Sequence, residues 1–406
     1  MTATASTRRA VFAALAALSL TVHADDWPHW RGPHRNGISD EKGWNPAALA
    51  SGPKIAWKAS VGMGFSSVSV ANGRLYTLGN ADEKDTVTCL DAKTGKEIWK
   101  HSYPAELGDK FFEGGTTGTP TVDSDKVYTL SRWGDLFCFE AATGKVVWNR
   151  NVAKDTGAEL PGWGFGGSPT VHENILLLNV GDTGLALDKA TGKTLWQSAP
   201  SPAGYTTPLP IQADGKWLAL LGSAKGYLAV DLQTGKEQWR MKWLTEYGVN
   251  AADPIPAGPG QVFISSGYGK GAALLKLTGQ PEPEVVWKSG VLKTQLNTAV
   301  LIDGYLYGLN GDAGDTAQLK CVELATGTEK WAQPRIGTGG LVAADGKLIV
   351  TGSKGDLYVF AATPEAPKIL AQAKVLDGKC WTAPVLANGF IYCRSSKGDL
   401  VAVDVH

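Results

Sequence analysis

Methionine is scarce in this sequence, with 3 in 406 residues, and there is no excess charge of either sign, with 39 basic residues against 39 acidic ones. A neutral chain offers no global basic field to nucleic acid or anionic lipid, so a general nucleic-acid role is not expected. His29, His34, His101, His172 and His406 show no metal-ligand spacing. There is no Gly-x-Ser-x-Gly motif and no Walker motif; Gly267-Tyr268-Gly269-Lys270-Gly271 lacks the Ser or Thr needed after Gly-Lys. Asp312 and Asp315 suggest a calcium loop, but its twelfth position is Cys321 instead of Glu. No metal site is therefore expected.

The five cysteines do not form a disulfide framework. Cys89, Cys138 and Cys321 occupy one recurring position that Ala186, Ala229 and Ala402 fill in other copies, so that slot calls for a small buried side chain. Cys380 and Cys393 share one predicted hairpin, whose Asn388-Gly389 turn sets Cys380 opposite Lys397. Buried free thiols are expected.

No apolar run after Val22 is long enough to cross a bilayer. The first 24 residues read as an export signal: Arg8-Arg9, an apolar stretch from Ala10 to Val22, then Val22-His23-Ala24 with cleavage before Asp25. Secretory and twin-arginine routes both suit Thr7-Arg8-Arg9. The rest carries 37 basic and 39 acidic residues. Localisation is expected to be extracytoplasmic, periplasmic or secreted.

What the chain has in abundance is glycine (50), proline (21) and tryptophan (15), the balance of many short strands joined by tight turns. A segment of acid, two residues, Thr-Gly and a terminal Trp recurs from Asp91…Trp99 to Glu323…Trp331. Successive tryptophans lie 49, 48, 43, 48 and 44 residues apart, the period of a four-stranded blade. Gly takes the positive φ of the turn, the acid accepts hydrogen bonds from it or pairs with the following Lys, and Trp docks blade on blade. Gly73, Gly215, Gly260, Gly304, Gly346 and Gly389 mark a second turn in six of the copies.

Strand sets begin near residues 66, 118, 167, 206, 252, 297, 339 and 382, which makes eight. The seventh is degenerate, with Ile369-Leu370 in place of Trp, and the eighth stops one strand short at His406. A spare strand, Pro53 to Lys58 with Trp57, precedes the first set. The expected fold is all-β: an eight-bladed β-propeller over 51–406, in which this N-terminal strand completes the last blade. Closure removes an open edge that an open β-solenoid would keep. Residues 25–50 form an extension, expected to drape over the propeller or to bind a partner.

The repeated Ala/Asp-x-x-Thr-Gly-Lys-x-x-Trp segment resembles the pyrroloquinoline quinone repeat over about residues 50 to 406. That repeat is shared by quinoprotein dehydrogenases, the propeller of outer-membrane protein assembly, and exported propellers of unassigned role. Trp27-Pro28-His29-Trp30-Arg31-Gly32 and Cys380-Trp381-Thr382-Ala383-Pro384 look like the last group. The resemblance leaves pyrroloquinoline quinone (PQQ) with calcium open as cofactors. Many alcohol-oxidising members carry adjacent cysteines over the quinone and a calcium-binding Glu/Asn/Asp set. This chain has no Cys-Cys pair, no set that aligns with those ligands, and no haem attachment motif.

In such a fold the loops entering the inner strands shape the mouth of a central channel. Here they carry Phe65, Thr116-Thr117, Trp163, Phe165, Tyr205, Tyr247, Asn250, Gln295, Asn297, Thr338, Lys379 and Trp381. These aromatics and amides either form a small-molecule or peptide pocket or simply pack the rim. Asp253 stands before Pro254 where repeat-mates have Thr119, Ser168, Thr207 and Ala383. It reads as a general base, as a metal ligand, or as a cap of its own turn. The leading expectation is a non-catalytic scaffold for envelope or secreted proteins and peptides. A PQQ- and calcium-dependent dehydrogenase of alcohols or sugars, starting from Asp253, and small-ligand binding at the mouth are the alternatives.

Overall fold

The computed structural model describes residues 26–50, 52–213, 215–312 and 314–406, so the export signal proposed for 1–24 lies outside the described residues. Eight antiparallel sheets stand around one axis. Blade 1 runs from Ser69–Ala71 to Glu97–Pro104, blade 2 from Thr121–Asp123 to Val146–Asn151, and blade 3 from Thr170–His172 to Thr194–Gln197. Blade 4 spans Leu209–Ala213 to Glu237–Lys242, blade 5 Ile255–Pro256 to Glu284–Ser289, and blade 6 Val300–Ile302 to Glu329–Gln333. Blade 7 begins at Gly340–Ala344 and ends at Ile369–Lys374, and blade 8 at Val385–Ala387 has only two further strands of its own. Its fourth strand is Ile55–Ser60, which pairs antiparallel with Asp399–Asp404 and sets Trp57 opposite Ala402. The ring closes as its sequence required.

The repeat's residues are explained by how neighbouring blades dock. On most outer strands a bulge sets Trp opposite the small slot: Trp99 faces Cys89, Trp148 faces Cys138 and Trp331 faces Cys321. All five cysteines are free and buried. Five of these indoles, counting Trp57, then lie over the Thr-Gly glycine of the next blade, where a Cβ on Gly95 would stand 2.6 Å from Trp57 and one on Gly144 2.5 Å from Trp99. That glycine serves twice, for its φ of about 70° and for the indole above it. The indole N–H donates to a backbone oxygen in the same turn region, Trp57 to Ala92 at 3.0 Å and Trp99 to Ala141 at 2.9 Å. The acid holds the turn through its Thr, as Asp91 Oδ1 accepts from Thr94 N–H at 2.8 Å and from its hydroxyl at 2.7 Å.

One seam differs. Gly279, in the looser copy, has nothing within 4 Å of its would-be Cβ, and the Nε1 of Trp239 in blade 4 is buried without a partner. The Pro281 insertion replaces this dock with a backbone bond from Arg240 N–H to Pro281 O at 2.8 Å. Trp99→Phe is therefore expected to cost about 1 kcal/mol more than Trp239→Phe, because only Trp99 loses an indole hydrogen bond. Denaturant midpoints of the two variants test this, and equal losses would contradict the difference between the seams.

Candidate functional site

A blade's Thr-Gly turn and its inner-to-second-strand turn lie at one end of the axis, and the loops entering the inner strands lie at the other. The extension crosses the first end. Trp27 bridges Val70 of blade 1, Pro28 O accepts from Val122 N–H of blade 2, and Arg35 donates to Val171 O of blade 3. Ile38–Ser39 then adds a parallel strand beside Ala343–Ala344 of blade 7, and Glu41 accepts from Gly389 N–H at 2.7 Å. The drape expected for residues 25–50 is seen over the described part, and it does more than cover: Trp30 enters the axis.

Trp30 meets a hydrogen-bonded arc. The N–H of Ser67 donates to Thr119 Oγ1 at 3.1 Å, that of Thr119 to Ser168 Oγ at 2.9 Å, and that of Ser168 to Thr207 Oγ1 at 3.0 Å. The N–H of Thr207 donates to Asp253 Oδ1 at 2.8 Å, and that of Asp253 to Thr298 Oγ1 at 2.7 Å. One oxygen of Asp253 thus does what a hydroxyl does in the other blades. Its second oxygen accepts the Trp30 indole N–H at 2.7 Å. Arg31 is buried behind it, donating to Thr298 O at 3.2 Å, Ala299 O at 3.0 Å and Asn36 O at 2.8 Å. Burial pushes the Asp253 carboxyl above its ordinary value, against the pull of Arg31 and its hydrogen-bond donors. Burial likewise brings Arg31 down to about 10, with Asp253 opposing. Neither the local-turn cap nor a free base describes this aspartate.

His29, beside this anchor, has a buried Nδ1 without a partner, and burial together with Arg35 lowers its pKa to about 3. Between about pH 6.5 and 3 the folded chain thus binds fewer protons here than the unfolded one, so stability falls as pH drops through that window. The expected slope from this group is at most about 1.4 kcal/mol per pH unit. Melting temperatures from pH 7 to 4 should show it, and His29→Gln should flatten the decline; an unchanged slope would exclude His29 as its source.

At the other end opens a cavity of about 330 Å³. Phe65 stacks on Trp381 with centroids 5.8 Å apart and meets Phe112 at 5.6 Å. Phe111 meets Trp163 at 5.6 Å, and Trp163 meets Tyr205 and Tyr247, each at 6.1 Å. Arg132 holds this collar, donating to Leu107 O, Gly108 O and Trp163 O while lying 4.9 Å from the Phe112 ring. Of the residues expected at the mouth, Phe65, Trp163, Tyr205, Asp253, Gln295, Asn297, Trp381 and Thr117 line the cavity. Tyr247 stands on the rim at 68% exposure. Lys379 lies 4.2 Å over the Trp381 ring and is ion-paired with Glu113.

Four other expected mouth residues do not line the cavity. Phe165 is buried in the core between blades 2 and 3, and Asn250 is fully buried, tying Ser223 O to Trp243 O. Their loops turn inward to satisfy backbone and core before reaching the axis. Thr116 and Thr338 are likewise bound to local carbonyls, Leu78 O and Asp312 O. Sequence reasoning missed Trp30, Phe111, Phe112, Tyr268 and Arg132.

A PQQ molecule carries three carboxylates and pairs with a cation. No Lys or Arg lines the cavity, and its one acid, Asp253, already has donors on both oxygens. Among the described residues no group of three or more His, Cys, Asp or Glu could hold a metal. Asp312 accepts Tyr268 N–H at 2.5 Å while Asp315 pairs with Lys354 at 2.9 Å, so the suggested calcium loop is committed elsewhere. The lining does not fit the quinone with its calcium.

A model of the family described as outer membrane protein assembly factor BamB matches residues 47–117, 83–333 and 315–406. The chain belongs to that family. Its fold is shared with BamB from Moraxella catarrhalis at 16% identity and a TM-score of 0.62, over 86% of this chain and 97% of that one. A quinohemoprotein alcohol dehydrogenase from Pseudomonas putida HK5 aligns at 14% identity and a TM-score of 0.67, over 94% and 80%. The computationally designed protein Ika8 aligns at 13% and 0.61, over 85% and 98%. No curated protein sequence matches the chain. These likenesses carry the propeller fold across assembly factor, oxidoreductase and design alike, so function must be argued from the site. Among the described residues no helix is long and apolar enough to cross a membrane.

Proposed function

We propose that the chain is an exported, non-catalytic propeller that binds envelope or secreted proteins by taking a short peptide segment into its aromatic mouth. The carrying observation is the commitment of Asp253: the acid facing the lumen has one oxygen on Thr207 N–H and the other on Trp30, so it holds the floor closed. Above that floor stand rings and amides, the lining of a recognition pocket. Phe111 and Tyr247, 59% and 68% exposed, extend the apolar collar into solvent, where a partner's surface would meet it. Export rests on the leader at 1–24 and suits a family described by outer membrane protein assembly.

The test is twofold. A photo-crosslinker at position 111 should capture a defined envelope protein, and Trp163→Ala or Trp381→Ala should abolish that capture without lowering the melting temperature appreciably. PQQ with calcium, added to the purified chain, should produce no thermal stabilisation and no dye reduction with alcohols or sugars. Stabilisation with turnover would overturn the proposal in favour of the dehydrogenase.

A further inference from the structure

The polarity of the pocket floor selects what enters it, an inference that rests on the peptide reading of the mouth. Thr119, Ser168 and Thr207 stand on three consecutive blades and all line the cavity. Each hydroxyl oxygen accepts a backbone N–H from the preceding blade, at 3.1, 2.9 and 3.0 Å respectively. None of the three donates to any described residue, so each proton is left for the lumen. Across the cavity the Asn297 amide donates both its protons, to Gly339 O and Trp381 O. That leaves its Oδ1 as an acceptor in the lining. The pocket therefore presents an arc of donors on one side and an amide oxygen on the other.

We infer that this pocket receives an uncharged carboxamide, the side chain of Gln or Asn in an extended segment of a partner protein. Its C=O accepts from the hydroxyl arc, its NH₂ donates to Asn297 Oδ1, and its methylenes lie between Phe65, Trp163 and Trp381. A carboxylate has lone pairs for the arc but none of the protons Asn297 needs. It would also sit near Asp253 in a lining without Lys or Arg. An aliphatic tip would leave the three hydroxyl protons and the Asn297 oxygen dry. An ammonium group has no lone pair, so it would leave all three hydroxyl protons of the arc without an acceptor. At about 330 Å³ the cavity is at the small end of ligand sites and takes a side chain rather than a folded element.

The experiment uses one neutral, extended peptide scaffold with Gln, Glu, Leu or Lys at its centre, titrated against the full chain by tryptophan fluorescence and calorimetry. The Gln peptide should bind at least about ten-fold tighter than each of the other three, the size of one lost hydrogen bond to a buried group. Ser168→Ala and Thr119→Val should reduce the Gln-over-Leu ratio while the Leu peptide binds as before. Melting curves confirm that the variants are folded, and the wild-type panel decides the question if they are not. Equal binding of Gln and Leu or Glu peptides would overturn the carboxamide inference while leaving the peptide reading standing. Binding of neutral oligosaccharides with no response to any peptide would overturn both.

Discussion

Trp57→Ala is expected to lower the free energy of unfolding by about 3–5 kcal/mol, the usual loss for a buried indole cut to a methyl group. Trp57 is 8% exposed, packs on Gly95 and on Tyr392 with centroids 5.9 Å apart, and donates to Ala92 O at 3.0 Å. Tyr392 donates to the same oxygen at 3.0 Å, so blades 8 and 1 share one doubly bonded carbonyl. Every other indole of this kind lies on a strand already tied to its blade by a short turn. Trp57 lies on a strand held to blade 8 by pairing alone, with support from Lys54 and Asp404 at 2.6 Å. Its loss should therefore release the strand as well as loosen a seam. Limited proteolysis of Trp57→Ala should cut between about residues 50 and 60, whereas Trp99→Ala, with equal local damage, should not be cut there. Identical cleavage of the two variants would show that closure does not depend on Trp57.

Asp253→Ser should cost about 2–3 kcal/mol, although serine is what blade 3 carries at this position, because it leaves the buried Trp30 indole N–H without its acceptor and removes the carboxylate's pull on Arg31. Serine keeps an acceptor for Thr207 N–H but offers nothing to the Trp30 indole. The same variant in an enzyme that used Asp253 as a base would lose turnover and keep its stability. Here the melting temperature should fall and the extension should become sensitive to protease. Trp30→Phe should cost less, about 1–2 kcal/mol, and the double variant should fall short of the sum of the two. A stable, protease-resistant Asp253→Ser protein would remove the anchoring role.

The ring was legible because its signals are repeated and local. Thr-Gly turns, outer tryptophans and the small slots shared by Cys and Ala recur with one period, and the spare strand at Trp57 matches a missing one at the end. The pocket was only half legible. Phe65, Trp163, Tyr205 and Trp381 are found by their place in the repeat, but Phe111 and Phe112 lie in a longer loop with no repeat-mates to flag them. Phe165 and Asn250 stand three residues before Ser168 and Asp253, whereas the lining residues Phe65, Thr117 and Tyr205 stand two before Ser67, Thr119 and Thr207, and that one-residue difference turns the two side chains away from the axis. Arg132 reads as one more polar loop residue until its three carbonyl partners are seen. Asp253 did carry a usable clue: an acid replacing a hydroxyl has one acceptor too many, and the spare oxygen implies a donor from elsewhere. Trp30 is that donor, 223 residues away in sequence.

Pairing Ile55 with Val403 also sets the order of events in folding. The first strand of the ring proper to be synthesised has no place in a blade until the last one exists, and the contact that joins them spans nearly the whole chain. Loops that long close slowly, and the unfinished ring meanwhile presents the edge of its final sheet to any other strand nearby. Refolding from denaturant should accordingly end in a slow phase seen by Trp57, and a concentration-dependent yield should mark the interval in which two chains can mistake each other's ends for their own.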